Sequence, residues 1–119
     1  MSDLIFVFSS NLAGRHSYGA AARARKSHGA VYGQGSGRQG NAYAIPVQDH
    51  NLHNLPIRLI REFVDEFIAY ATMNSELSFR ITDIGGGLLG FKPEQIAPLF
   101  KNAPMNCQFT TIFKKILKR

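Results

Sequence analysis

Blocks of apolar and polar positions alternate along this chain in a way that predicts strands and helices in turn. A continuous apolar run at residues 4–8 is typical of a strand buried on both faces of a parallel sheet. The alanine-rich residues 20–27 have strong helix propensity. From Pro56 to Met73 the apolar positions recur at helical spacing, and Phe63, Phe67 and Tyr70 belong to the face that is predicted to enter the core.

The remaining pattern completes an alternating order. It predicts strands at residues 42–46, 77–84 and 108–113, and a helix at 93–101 that begins at Pro93 and adds Phe100 to the core. Residues 33–40 are too rich in glycine for a regular element and are expected to form a linker or a loop around a ligand. Strands that alternate with helices predict one α/β domain, residues 1–119, with a mainly parallel mixed sheet.

Composition narrows the class of protein. With 119 residues, 45% of them hydrophobic and 18% charged, the chain is expected to fold around one modest core. No apolar run approaches the ~20 residues of a membrane helix, and the first residues do not have the pattern of a signal peptide. Cys107 is the single cysteine, so we expect a buried small side chain in a reducing cytoplasm rather than a disulfide or a zinc cluster.

The charge balance favours anionic partners. The formal net charge is +6, and basic residues are concentrated at the end of the chain, residues 114–119, and among the glycines of the first half. Nucleotides, nucleic acids and acidic proteins all fit this balance, which does not select among them. The pattern of residues in the sequence predicts no membrane partner, and it indicates no cofactor.

Two glycine loops follow predicted strands and precede predicted helices. Gly85, Gly86 and Gly87 come after the strand that ends at Ile84, and Gly90 follows closely. Glycines let backbone N–H groups approach a ligand, and a following helix favours an anion, so we expect phosphate or pyrophosphate here rather than a mere tight turn. The loop from Gly14 to Gly19 repeats this arrangement after the first strand.

Several polar residues near these loops have two interpretations. His16 is the only group in the first loop that titrates near neutrality, so it is the one candidate catalytic residue, although the residues favour ligand binding or simple solvation. Asn11 fits a ligand contact and a turn cap equally. Asp83 fits contact with a sugar hydroxyl, but bracing of the loop is favoured. The Asp49, His50 and His53 segment is interpreted as a polar loop, and no metal site is predicted.

Three stretches resemble pieces of the macro domain, a fold that binds ADP-ribose and related nucleotides. Residues 5–14, Ile-Phe-Val-Phe-Ser-Ser-Asn-Leu-Ala-Gly, lead through Gly19 into an alanine-rich helix. Residues 37–46, Gly-Arg-Gln-Gly-Asn-Ala-Tyr-Ala-Ile-Pro, resemble the approach to a central strand. Residues 81–93 contain Gly-x-Gly followed by Gly-Phe, similar to the late phosphate loop. The string Ser-Asn-Leu-Ala-Gly-Arg-His, residues 10–16, is similar to that of small macro-like proteins of phages and bacteria.

The resemblance implies a compact three-layer α/β domain that binds an ADP-ribose-like nucleotide, in a phage, bacterial-defence or nucleotide-signalling setting. It implies that Asn11 meets a ribose, that both loops hold the diphosphate, and that Phe91 lies near the distal ribose or the base. The predicted ligand-binding residues are Asn11, Gly14, Arg15, His16, Gly19, Gly85, Gly86, Gly87, Leu88, Gly90 and Phe91. Two alternatives stay open, a basic module that binds nucleic acid or inhibits a protein, and a hydrolase of ADP-ribosyl bonds.

Overall fold

A mixed sheet forms the centre of the computed structural model, which describes residues 4–119. The five strands are β1 (Leu4–Asn11), β2 (Gly37–Gln39), β3 (Ala42–Gln48), β4 (Ser78–Ile81) and β5 (Cys107–Gln108). The α-helices are α1 (Gly19–Ser27), α2 (Ile57–Met73), α3 (Pro93–Ile96) and α4 (Thr111–Leu117), and 3-10 helices occupy Gly87–Leu89 and Ala97–Phe100.

The sheet is mainly parallel, as the sequence predicts. Its strand order is β2-β3-β1-β4-β5, with β1 parallel to both β3 and β4, and β4 parallel to β5. Only β2 runs antiparallel, as the edge partner of β3. This order brings the carboxyl ends of β1, β3 and β4 to one edge, which is where ligands collect in open α/β sheets.

Alternation along β1 divides the core into two layers of side chains. Ile5 and Val7 pack with α2, α4 and the 3-10 helix that precedes β5. Phe6 and Phe8 point to the opposite face and pack against the alanines of α1. Helices therefore cover both faces, and the α/β class with three layers is confirmed.

The aromatic side chains that the sequence assigns to the core lie there. Phe67 and Phe100 are fully buried, with ring centroids 6.1 Å apart, while the partly buried Phe63 and Tyr70 pack against the same cluster. Phe67 also meets the ring of Phe79 edge-on at 5.3 Å. The prediction of a helix from Pro56 to Met73 is thus confirmed together with its buried face.

For two segments of the chain, the predicted type of secondary structure is wrong. Residues 37–39 of the supposedly irregular glycine-rich segment form β2, because the segment reaches the edge of β3 and pairs with it. Of the predicted strand at 108–113, only Gln108 is paired, in β5, and a helix begins at Thr111. Thr110 caps α4 by accepting a hydrogen bond from the N–H of Phe113, and Phe113 is fully buried, so packing overrides the local β propensity of these residues.

Other boundaries move by a few residues. The first strand continues from residue 8 to Asn11, and β3 continues two residues past Pro46. Conversely, β4 ends at Ile81, so residues 82–84 belong to the loop. The helix predicted at 93–101 is one α-helical turn followed by a 3-10 turn. None of the helices in residues 4–119 combines the length and apolarity needed to cross a membrane.

Cys107 is buried in β5, as predicted, and burial raises the pKa of its thiol to about 11. Because the thiolate is the reactive form, we expect native protein at pH 8 to resist a disulfide reagent such as dithionitrobenzoate. The same protein in denaturant should release about one equivalent of the coloured thiol product. Rapid reaction of the native protein would contradict this burial.

Candidate functional site

An open cleft of about 670 Å³ lies at the carboxyl ends of β1, β3 and β4. Its floor comes from the end of β1, and its walls come from the first turn of α1 on one side and from the loop after β4 on the other. Its lining includes Ser9, Ser10, Asn11, Arg15, Tyr18, Gly19, Ala20, Ala21, Arg23, Tyr32, Thr82, Asp83, Gly86, Gly87, Leu88 and Leu89.

The structure separates the predicted ligand-binding residues into two groups. Those that line the cleft are Asn11, Arg15, Gly19, Gly86, Gly87 and Leu88. Those outside the lining are Gly14, His16, Gly85, Gly90 and Phe91. Members of the second group support the loops from behind: Gly14 packs against the backbone of Gly33, and Phe91 packs on the core beside Gly85. Ligand contact by any of these residues stays a prediction.

Asn11 shapes the first loop directly. Its Oδ1 accepts a hydrogen bond from the N–H of Arg15 at 2.9 Å, and its Nδ2 donates to the carbonyl of Arg15 at 3.1 Å. The Asn11 side chain therefore holds both the backbone N–H and the backbone carbonyl of Arg15, and it stabilises the first loop. Asn11 still lines the cleft, so a ribose contact would have to use its remaining hydrogen-bonding capacity.

Serine and threonine hydroxyls tie the glycine loop to the sheet, a role that the sequence did not reveal. Ser9 Oγ accepts a hydrogen bond from the N–H of Gly85 at 2.8 Å. Thr82 Oγ1 donates to the carbonyl of Val7 at 2.7 Å. These bonds join residues more than seventy positions apart and hold the loop after β4 against β1, which forms the floor of the cleft.

Both walls of the cleft contain backbone N–H groups that have no hydrogen-bond partner within residues 4–119. The helix α1 has no side-chain cap and no acidic residue in its first turn. In the described part of the chain, no hydrogen bond engages the N–H groups of Gly19, Ala20 and Ala21 on one wall, or those of Gly87 and Leu88 on the other. Unpaired N–H groups at a helix start and in a glycine loop favour an anion.

The side-chain charges of the cleft are mixed. Arg15 and Arg23 are exposed and line it, and Asp83 is the one acidic residue in its lining. Within residues 4–119 the Asp83 carboxylate has no ion pair or side-chain hydrogen bond, so it does not brace the loop through its side chain. Its backbone carbonyl does, by accepting from the N–H of Gly86 at 3.0 Å.

Gly86 makes room for the Asp83 carboxylate. A Cβ atom at Gly86 would lie 2.2 Å from Asp83 Oδ2, although the backbone φ of −83° is open to any residue. A Gly86→Val substitution would therefore displace the carboxylate as well as crowd the cleft. A loss of ligand affinity in the Gly86→Val variant would therefore not show that the backbone contacts phosphate, because the displaced Asp83 carboxylate could cause the same loss.

His16 is buried rather than solvated. Its ring meets Phe8 edge-on at 5.1 Å, and its Nε2 lies 3.4 Å from Ser10 Oγ. The Gln34 backbone is near enough to the ring to raise its pKa, but the contact does not have hydrogen-bond geometry, and Nδ1 has no partner among the described residues. Desolvation by burial, followed by the charge of Arg25, lowers the pKa of His16 from 6.5, because these two effects outweigh the raising effect of the Gln34 backbone.

This burial predicts a pH-dependent stability. The unfolded chain protonates His16 near its ordinary pKa of 6.5, whereas the folded chain does so only at a lower pH. The free energy of unfolding should therefore fall as the pH drops below about 6.5 and level off below the folded pKa. Urea unfolding from pH 7.5 to pH 5 measures this, with His16→Gln as the comparison. An equally steep decline in that variant would assign the effect to other groups.

The Asp49 segment is a braced turn. Asp49 Oδ1 accepts hydrogen bonds from the N–H groups of Asn51 and His53, at 2.8 and 3.0 Å. The His53 backbone bond is the main cause of a lowered pKa for Asp49. No cluster of three histidine, cysteine or acidic side chains suited to a metal ion occurs within residues 4–119.

These features define a class: an open, mainly parallel α/β sheet with a cleft at the carboxyl ends of its strands, whose walls contain unpaired backbone N–H groups among residues 4–119. Comparison with known proteins finds no matching family model, no matching curated protein and no matching solved structure. The cleft itself therefore supplies the argument for function.

Proposed function

We propose that the protein binds ADP-ribose, or a related ligand with a nucleotide diphosphate, in this cleft. The observation that carries the proposal is the pair of facing walls with unpaired N–H groups, Gly19–Ala21 on one side and Gly87–Leu88 on the other. A diphosphate offers two anionic groups in series, which suits donors on two walls. Arg15 and Arg23 add positive charge at the same cleft.

The other lining residues suit the sugar and the base. Asp83 and the remaining capacity of Asn11 can accept hydrogen bonds from ribose hydroxyls. Tyr18 is largely exposed and lines the cleft, so its ring is available to a planar base. Tyr32 also lines the cleft, but the guanidinium of Arg25 lies over its ring, 5.4 Å from the centroid. Polar groups thus surround the anion-favouring centre on more than one side, as a nucleotide requires.

Calorimetric titration tests the proposal. The panel should contain ADP-ribose, ADP, ribose 5-phosphate, a cyclic nucleotide and a short RNA, each added to the full chain. We expect saturable one-site binding of ADP-ribose and weaker binding of the fragments, because each fragment leaves part of the cleft unused. Binding of RNA with no heat from ADP-ribose would overturn the proposal and favour a basic module.

The distribution of charge argues against the basic module as the first choice. The basic residues of α1 lie on the sheet face that carries Phe6 and Phe8, whereas α4 packs on the opposite face. Arg119 is also engaged, since its guanidinium donates to the carbonyls of Ala103 and Pro104 and lies over the ring of Phe109. Two separated clusters do not make the continuous stripe that follows a nucleic-acid backbone.

If polyanions bind at all, α4 should be responsible and salt should weaken the binding. Replacing Lys114, Lys115 and Lys118, all exposed, with glutamine should then reduce affinity for a short RNA while ADP-ribose binding is unchanged. Fluorescence anisotropy at two salt concentrations measures the first effect. An affinity for RNA that is independent of salt would contradict an electrostatic role for α4.

A further inference from the structure

We propose that Ser10, at the floor of the cleft, and the buried His16 behind it form a nucleophile–base pair, through which the protein cleaves a carboxylic ester by way of an acyl-Ser10 intermediate. The inference rests on the same cleft as the proposed function, but it concerns a different property of it. Binding of a nucleotide requires neither the Ser10 hydroxyl nor the imidazole to react.

The placement of the two side chains carries the proposal. Ser10 lines the cleft at the end of β1, and its Oγ lies 3.4 Å from His16 Nε2. The Ser10 hydroxyl donates to the carbonyl of Asn11 at 3.2 Å, so it has to rotate out of this bond for its proton to reach His16 Nε2. A nucleophile and base are often at this looser separation before substrate enters and shorten their contact on binding.

The state of His16 suits a base. The ring is fully buried beside Phe8, and burial and the charge of Arg25 lower its pKa, which favours the neutral form that a base requires. If Nδ1 carries the proton, Nε2 presents its lone pair to Ser10 Oγ.

The reaction balances with water as the only co-reactant. Ser10 Oγ bonds to the ester carbonyl carbon as its proton moves to His16 Nε2. The tetrahedral intermediate then expels the alcohol oxygen, which takes the proton from Nε2 and leaves acyl-Ser10. Water attacks this ester with His16 again as base, releasing the acid and restoring the Ser10 hydroxyl. Unpaired N–H groups of the α1 first turn line the same cleft and can stabilise the oxyanion.

An alkyl fluorophosphonate tests this pair directly, since it forms a stable ester with an activated serine and loses fluoride. The native full chain should gain one adduct, which peptide mass spectrometry should locate at Ser10. Ser10→Ala should abolish the adduct, and Ser27→Ala, at the exposed end of α1 outside the cleft, should not change it. Removing the base with His16→Gln should slow labelling by about 100-fold or more.

The outcomes separate this proposal from nucleotide binding, because the probe contains no nucleotide. No adduct on the native protein, or an adduct on another serine, overturns the nucleophile. If a His16→Gln variant that still shows cooperative thermal unfolding is labelled at the wild-type rate, the role of His16 as the base is overturned. If that variant does not fold, the Ser10→Ala comparison and a burst of nitrophenolate from p-nitrophenyl acetate decide: a burst retained in Ser10→Ala contradicts the acyl-Ser10 step.

Discussion

Ala20→Asp should weaken the binding of ADP-ribose by more than about tenfold, while the protein remains folded. Ala20 lines the cleft in the first turn of α1, where its N–H and those of Gly19 and Ala21 have no hydrogen-bond partner in the described part of the chain. An added carboxylate there would repel the diphosphate and compete for the same donors. The helix itself would gain about 0.3–1 kcal/mol, because a negative charge suits a helix start.

Two control variants isolate the charge in the cleft. Ala20→Asn has nearly the same shape without the charge, and it should retain affinity within about threefold. Ala22→Asp places the same charge on the same helix at a residue outside the cleft lining. Calorimetry with ADP-ribose compares all of them. Wild-type affinity in Ala20→Asp, or equal losses in the two aspartate variants, would contradict a phosphate position at this wall.

Gly14→Ala should lower the free energy of unfolding by about 2–5 kcal/mol. Gly14 has a φ of +69°, and a Cβ atom there would lie 2.3 Å from the carbonyl carbon of Gly33 and 2.5 Å from the nitrogen of Gln34. Backbone atoms cannot move aside as a flexible side chain can. The contact is reinforced by a hydrogen bond from the N–H of Gly33 to the carbonyl of Gly14 at 2.8 Å.

Gly19→Ala is the matched control. Gly19 also has a positive φ, +55°, but no atom lies within 4 Å of the position of its Cβ. It should therefore cost only the conformational term, about 1–2 kcal/mol. Urea unfolding of the two variants gives the difference. Equal stabilities would mean that the close approach of Gly14 to Gly33 does not support the fold.

The sequence predicts the elements whose own residues carry a clear period. The apolar run that begins β1, the alanines of α1 and the amphipathic face of α2 specify those elements locally. Prediction from the sequence fails where contact with a residue distant in the chain determines the secondary structure. Pairing with β3 makes a strand of Gly37–Gln39, and burial of Phe113 makes a helix of residues with strand-like composition.

The candidate site is predictable to a similar degree. Glycine content identifies both loops, and Gly19, Gly86 and Gly87 do line one cleft. The contribution of Ser9 depends on a hydrogen bond to Gly85 across the sheet, which leaves no local signal. The burial of His16 depends in the same way on the packing of its loop against Phe8. Positions close in sequence, such as Arg15 and His16, therefore lie in opposite environments, one exposed and one buried.

Amide NMR spectra recorded during titration with ADP-ribose test the central claim most directly, because they observe the proposed donors themselves. The ¹H–¹⁵N signals of Gly19, Ala20 and Ala21 on one wall, and of Gly87 and Leu88 on the other, should shift in a saturable manner. Signals of the α4 lysines should stay in place. An unchanged spectrum at millimolar ADP-ribose, or shifts confined to α4, would contradict binding between the two walls of the cleft.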